Sequence, residues 1–327
     1  MRNLNRPLGA VLLLVIAVGM LGGCGTTGTA EDVRIATYNV ENWRRHFNHH
    51  KFTRLEPAST QPSAPAMDDL LWSLRSSNRE DNWEVSLVVK DMDADVLLIQ
   101  EGPGQSDLEY FNREWLDGMY ETVQVFKTNT TRVQTLAVML KPGFKVLETV
   151  ETYDVPDRND ANPRSDKLFA RGPAFVHVET PAGRRFWAGT THQKSKSGNS
   201  LEATQWRIAE GEATYGIMID LQERTGDGVL LAGDMNDSLG MDEYETELGI
   251  DAIETLDGPG TVLITRELAE AGAVTFGGYS SPRYRSFIDH AVVTNDLAEA
   301  VGDVSVYTEP MSKVASDHYP VVVTLRF

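Results

Sequence analysis

Val229-Leu230-Leu231-Ala232-Gly233-Asp234-Met235-Asn236 reads as a buried strand that runs out into polar residues. Four apolar positions in a row suit a strand covered on both faces. Gly233 lets the backbone come close to a ligand, and Asp234 and Asn236, two residues apart, point the same way. Taken alone, Gly233 to Asn236 describes an Asx turn as well as it describes a site. Its weight comes from repetition. Thr37-Tyr38-Asn39-Val40-Glu41-Asn42, Gln100-Glu101 and Thr191-His192-Gln193-Lys194-Ser195 also follow apolar, β-rich runs, and Ser316-Asp317-His318-Tyr319-Pro320 completes an ordered set of five. Strand ends hold polar groups rigidly while leaving them open to a ligand.

Working outward, strands are expected at residues 33–40, 95–100, 122–126, 135–140, 145–151, 174–179, 185–190, 228–232, 287–293 and 319–325. Helices are expected at 83–92, at 106–116 with Ser106 or Asp107 as cap, and at 201–222. In the last, Trp206, Ala209, Ala213, Ile217 and Leu221 recur every three or four residues and read as its core stripe. Residues 44–82 and 154–166 read as irregular, Pro-containing surface segments. Many strands with few helices between them argue for an α/β sandwich rather than an alternating parallel sheet. The motifs run from Asn39 to His318, so both halves must meet in one domain. No internal repeat is evident.

The first residues read as an export signal. Arg2 and Arg6 precede an uncharged apolar run over 8–20, short for a membrane span. Leu21-Gly22-Gly23-Cys24 then resembles a bacterial lipoprotein signal, which implies removal of residues 1–23 and lipidation of Cys24. Residues 24–32 become a tether and 33–327 the domain, held by its lipid on a bacterial envelope membrane and facing periplasm or exterior. Plain secretion with Cys24 left free is the alternative. One cysteine excludes intramolecular disulfides. The formal net charge of −18 disfavours tight, sequence-independent binding to duplex nucleic acid.

The residues have a chemistry of their own. Asn, Glu, Asp and two His are what a divalent metal and a phosphate ester require. Glu101 after so apolar a run is either a metal ligand or the start of a surface loop, and Asn39 alone reads as a turn residue. His192 and His318 are candidates for proton transfer and charge stabilisation. Asp289 lies in a buried-type strand, where an unpaired carboxylate is costly and a His partner resolves the cost. His290, next along that strand, faces the other way and reads as structural. Lys194, Lys196, Arg283 and Arg285 read as solvated charge around a basic rim. His46, His49 and His50 lack a zinc pattern, and Asp154, Asp157, Asp160 and Asp166 lack the spacing of a calcium loop.

The ordered set resembles the endonuclease/exonuclease/phosphatase family, which includes pancreatic deoxyribonuclease, apurinic endonucleases, bacterial sphingomyelinases and inositol polyphosphate phosphatases. The resemblance implies two packed mixed β-sheets flanked by helices, a four-layer α/β sandwich with its site at one end. It implies Mg²⁺, with Mn²⁺ or Ca²⁺ as alternatives, on Glu101, with Asn39 and Asp317 as further metal-associated residues. By the same resemblance Asp234 orients the attacking water, Asn236 contacts phosphate or metal, and His192 steadies the phosphoryl oxygens. His318 acts as base or electrostatic stabiliser with Asp289 behind it, and Arg171 binds an anionic group. Relatives often carry a glycine-containing segment where Arg132 and Gln134 stand here. The expected activity is hydrolysis of a phosphodiester, in nucleic acid or a phospholipid headgroup, by a monomer. A phospholipid or sphingomyelin phosphodiesterase and an inositol or sugar phosphatase are the alternatives. A non-catalytic surface lipoprotein would have no need of Glu101, Asp234, Asn236, Asp289 and His318 together.

Overall fold

The computed structural model describes residues 31–41, 82–130, 134–196, 200–277 and 285–327. The signal with Cys24, His46, His49, His50, Arg132 and Arg283 lie outside them. Twelve strands form two mixed sheets of six. The first is ordered β11 (Val301–Val306), β12 (Val321–Arg326), β1 (Asp32–Asn39), β2 (Val96–Gly102), β4 (Thr135–Leu140), β3 (Thr122–Phe126). The second is β5 (Lys145–Glu151), β6 (Ala174–Glu179), β7 (Arg185–His192), β8 (Val229–Asp234), β10 (Asp289–Thr294), β9 (Thr261–Leu263). Each has one parallel pair at its centre, β1 with β2 and β7 with β8, and antiparallel neighbours elsewhere. The two sheets therefore repeat one pairing pattern.

Strict alternation along the strands builds the layers. Val33 and Ile35 of β1, Val96 and Leu98 of β2, Phe186 and Ala188 of β7, and Leu230 and Ala232 of β8 fill the space between the sheets. Their neighbours face outward to helices. Tyr38, Leu97 and Ile99 pack on α1 (Asn82–Met92) and α2 (Gln105–Trp115), and Trp187, Val229 and Leu231 pack on α3 (Leu201–Thr225). The result is the expected helix–sheet–sheet–helix sandwich. β1 starts a residue earlier than its pattern suggests, and Glu31 already exchanges backbone hydrogen bonds with Phe327.

Two local expectations are corrected. The second helix begins at Gln105 after an extended Gly104 that makes no side-chain cap, so neither Ser106 nor Asp107 caps it. Instead the Gln105 side chain reaches β3, accepting from Val125 N and donating to Val123 O. In α3 the apolar stripe is fully core only at its ends, Trp206 and Leu221, and is half-buried between them. Trp206 packs on Leu168 and Phe169 with Ala209, Ala213 and Ile217 only half-buried around it. The most enclosed face also carries Thr204, Arg207, Glu210 and Thr214. Arg207 and Glu210 are tolerated there because each has a partner. Arg207, fully buried, donates through Nε to Asp237 Oδ2 at 2.8 Å, and Asp237 is also fully buried. Lys196 donates to the other Asp237 oxygen, and its Nζ lies 3.1 Å from Asp242, the N-cap of α4 (Glu243–Leu248).

Removing one partner of a buried ion pair leaves the other uncompensated. Asp237→Asn should therefore lower unfolding free energy by about 3 kcal/mol in urea titrations, and Asp220→Asn, on the exposed face of α3, should change it little.

Candidate active site

The pairing pattern brings the motifs to one end of the sandwich. Parallel strands contribute their C-terminal ends there, and the antiparallel strands beside them contribute their starts. The inward stripe of each turns from apolar to polar over its last positions. Ile35 gives way to Thr37 and Asn39, Leu98 to Gln100, Ala188 to Thr190 and His192, and Ala232 to Asp234. β10 runs the other way, so its stripe begins with Asp289 before Ala291, and Asp289 sits opposite Asp234 in the ladder. Gln100 ties the sheets together, donating to Thr37 in its own sheet (2.9 Å) and to Thr190 across the interface (2.8 Å).

Glu101 leaves this alternation. The β2–β4 register shifts between Ile99 and Gly102, and Glu101 takes a positive φ of 57°. That bulge accompanies a turn of its carboxylate into the cleft, where its parity alone would send it to the helical layer. Glu41 and Asn236 are also left-handed and also line the cleft. Backbone in this region is strained for residues other than glycine and concentrates at functional sites.

Asp234 and Asn236 meet the cleft by a different route from the expected one. β8 ends at Asp234, and Asn236 N donates to Asp234 Oδ1 at 2.9 Å. An Asx turn, not strand alternation, sets their relation. Gly233 is needed for its neighbouring strand and not for a ligand, because a Cβ there would stand 2.1 Å from the Thr191 carbonyl oxygen.

The cleft holds about 440 Å³ and is lined by Glu101, Arg171, His192, Asp234, Asn236, Asp317 and His318 among the residues singled out above. His318 Nδ1 lies 2.8 Å from Asp289 Oδ2, and its Nε2 lies 3.8 Å from Asp234 and 3.9 Å from Asp317. His192 Nε2 is 3.3 Å from Asp234 and 3.7 Å from Glu101. Asn39 lies beneath, buried, donating to Asp234 Oδ2 at 2.9 Å and accepting from Glu41 N. Arg171 donates to the Gln193 carbonyl at 2.9 Å and faces Gln134 at 3.5 Å. The loop before β12 is braced by Ser316, which donates to Asn39 O and accepts from His318 N. His290 points away as expected, to Thr265 and the Asp237 carbonyl.

The charges differ sharply over a few ångströms. Burial opposes charge on His318, but the carboxylates of Asp289, Asp234 and Asp317 outweigh it and raise the ring to about 10. It is an imidazolium at neutral pH. Burial pushes Asp234 up to about 7, against the pull of His318. Burial first, then Arg171 and His318, holds His192 well below its usual range, so that ring is neutral.

Two acidic sets are candidates for a metal. Asp234, Asp289 and His318 each bring one ligand atom within 4.8 Å of the others. In that set the His318 ring is already engaged at Nδ1 by Asp289. Glu101 and Asp317 offer hard oxygens, and Asp317 Oδ1 is buried with no hydrogen-bond partner among the described residues. A carboxylate oxygen without a hydrogen-bond partner, in a cleft that a second carboxylate also lines, fits a small divalent cation.

Sequence reasoning assigned no role to several lining residues. Glu41 stood inside a quoted motif, and its signal was there to read. Phe276, whose ring lies 4.9 Å from His318, and Ile288 carried none. Lys196, expected on a solvated rim, is a cleft residue held among Asp237, Asp242 and Glu245.

A two-sheet sandwich with acids, amides and histidines at one end is an architecture of phosphoester hydrolases. Residues 70–318 match the Endonuclease/Exonuclease/phosphatase family, and the chain belongs to it. Its members are metal-dependent phosphoester hydrolases, and this chain is an enzyme of that kind. The fold is similar to that of an endonuclease/exonuclease/phosphatase from Beutenbergia cavernae DSM 12333, at 18% identity and TM-score 0.61 over 90% of this chain and 72% of that one. It is similar to a family protein from Bacteroides thetaiotaomicron at 16% identity and TM-score 0.57, over 92% and 97%. D. rerio TDP2, solved with a single-strand DNA product, gives 16% identity and TM-score 0.54 over 90% and 98%. None of the curated proteins compared matches the sequence.

Behind the cleft, Glu210 of α3 accepts from Lys194 N at 2.7 Å, and burial raises its carboxyl from 4.5 to about 7. A carboxyl raised on folding contributes stability that is full below pH 4.5 and is lost as pH rises through 7. The loss is on the order of 3 kcal/mol. Glu210→Gln should therefore gain on the wild type between pH 5 and pH 8, read as the change in urea midpoint at the two pH values.

Proposed function

We propose that the protein is a Mg²⁺-dependent phosphodiesterase of nuclease type, exported and held on a bacterial envelope membrane through a lipid on Cys24. The observation that carries the chemistry is the buried His318–Asp289 pair facing Asp234 across the cleft floor. Glu101 and Asp317, with Asn39 behind them, would hold the metal, and Mn²⁺ or Ca²⁺ would suit the same oxygens. A divalent ion there supplies stabilisation of the charge that develops on the phosphoryl oxygens.

The remaining work falls to this chain's own groups. Asp234, raised to about 7, is a base of the right strength to orient a water and take its proton near neutrality. The His318 imidazolium, held by Asp289, donates toward a phosphoryl oxygen, and Asn236 and neutral His192 position the same group. Arg171 stands at the cleft edge as the cation for a flanking anionic group. The family gives no single substrate, and a neighbour solved with a DNA product favours nucleic acid over a lipid headgroup. The enzyme is proposed to act as a monomer.

Purified protein with Mg²⁺ should cleave DNA or RNA in preference to sphingomyelin and inositol phosphates, and EDTA should abolish the activity. Absence of cleavage of all four with Mg²⁺, Mn²⁺ and Ca²⁺ would refute the reading. His318→Ala should lower kcat by about 10³-fold, Asp289→Asn by about tenfold to a hundredfold, and the double variant should match His318→Ala. Additive losses would separate the pair. Glu101→Gln should lose activity and regain part of it at higher Mg²⁺.

Localisation is tested separately. Cys24→Ser should release the protein from the membrane fraction or leave it at precursor mass. Unchanged fractionation with unchanged mass would remove the lipid anchor from the proposal.

A further inference from the structure

In a chain of net charge −18, one edge of the cleft gathers positive charge. Arg171 lines the cleft, and Lys194 lies between Gln193, which Arg171 contacts, and the lining residue Ser195. Lys194 Nζ stands 5.9 Å from the centre of the Trp206 ring, and Arg164 Cζ stands 6.0 Å from the same ring. Trp206 is itself buried and fixed, donating its indole N–H to Leu168 O at 2.8 Å. Lys194 Nζ donates to Ser195 O at 2.6 Å, and both cations stand at the outer limit of cation–π range of one rigid ring.

Neither Lys194 nor Arg164 forms an ion pair with a carboxylate among the described residues. Their neighbour Lys196 differs, being taken up by Asp237 and Asp242, and Arg207 is matched by Asp237. Glu210, whose charge acts on Lys194, spends Oε2 on the Lys194 backbone N–H. Burial, then repulsion from Arg164, Arg207 and Arg171, lowers the Lys194 pKa. An anion placed among these groups relieves that repulsion.

We propose that the cleft continues past Arg171 onto Lys194 and Arg164 as a subsite for a second phosphate of the substrate, so that preferred substrates carry more than one phosphate. The proposal rests on the phosphoesterase reading and narrows it. A phosphodiester chain and a small polyphosphorylated molecule share this chemistry, and the test distinguishes them.

Full-length protein in EDTA should be titrated calorimetrically with thymidine monophosphate, a 5′-phosphorylated thymidine trinucleotide and inositol trisphosphate. Wild type should prefer at least one three-phosphate probe over the monophosphate. Lys194→Gln and Arg164→Gln should each reduce that preference about fivefold and lower the salt dependence of the probe by about one charge. Lys145→Gln, which removes a distant lysine paired with Glu179, should leave it unchanged. Loss for the trinucleotide identifies a chain, and loss for inositol trisphosphate a small polyphosphate. Either supports the subsite. Equal loss for every probe, no loss, or the same loss in Lys145→Gln would overturn it. A wild type that shows the preference but cleaves no phosphate ester would refute the catalytic reading and leave the subsite standing. Cleavage of simple diesters without the preference would do the reverse.

Discussion

Asn39 donates to Asp234 across the boundary between the two sheets, and both groups are buried. A short amide with both ends engaged tolerates little displacement, so it sets the height at which one sheet meets the other. Gln100 makes a parallel tie one strand away through Thr190. Everything chemical sits just above these two crosslinks. If β1 or β8 slipped by one residue against its neighbours within its sheet, its inward polar end would exchange with an outward residue and the Asn39–Asp234 crosslink would be lost. The inter-sheet core below, built of Val, Ile, Leu, Ala and Phe, supplies adhesion, while these polar contacts supply registration.

The electrostatics follow from that placement. Three acids around one buried ring keep His318 a cation at neutral pH, and the same burial leaves Asp234 near neutrality in its proton affinity and His192 uncharged. Three titratable groups of two residue types thus occupy different protonation states within one small volume. Each state is fixed by neighbours rather than by residue type. The left-handed backbone at Glu41, Glu101 and Asn236 adds a cost that the surrounding sheets must bear.

The strand ends were legible in the sequence because apolar runs stop abruptly at Asn39, Gln100, His192 and Asp234, and alternation then dictates which residues face inward. Asn236 was placed at the cleft on a wrong premise, since period two does not survive the end of a strand. The α3 face was misjudged because an apolar stripe is visible in a sequence and a satisfied polar one is not. Arg207 and Glu210 look like surface residues until Asp237 and the Lys194 backbone are beside them. Phe276 and Ile288 reach the cleft through loop geometry that no local pattern encodes. The repeated pairing pattern of the two sheets was equally hidden, because strand direction leaves no trace in residue identity.

The pairing of Glu31 with Phe327 places both described ends of the chain at one pole. β1 then runs eight residues from that pole to Asn39, so the cleft lies roughly 25 Å away at the opposite one. Six residues separate Cys24 from Glu31, a reach of at most about 25 Å between the two. A lipid on Cys24 would draw the far pole toward the bilayer and leave the cleft looking outward. Headgroups of the anchoring membrane would then lie behind the catalytic groups, and phosphate esters arriving from solution would meet them first.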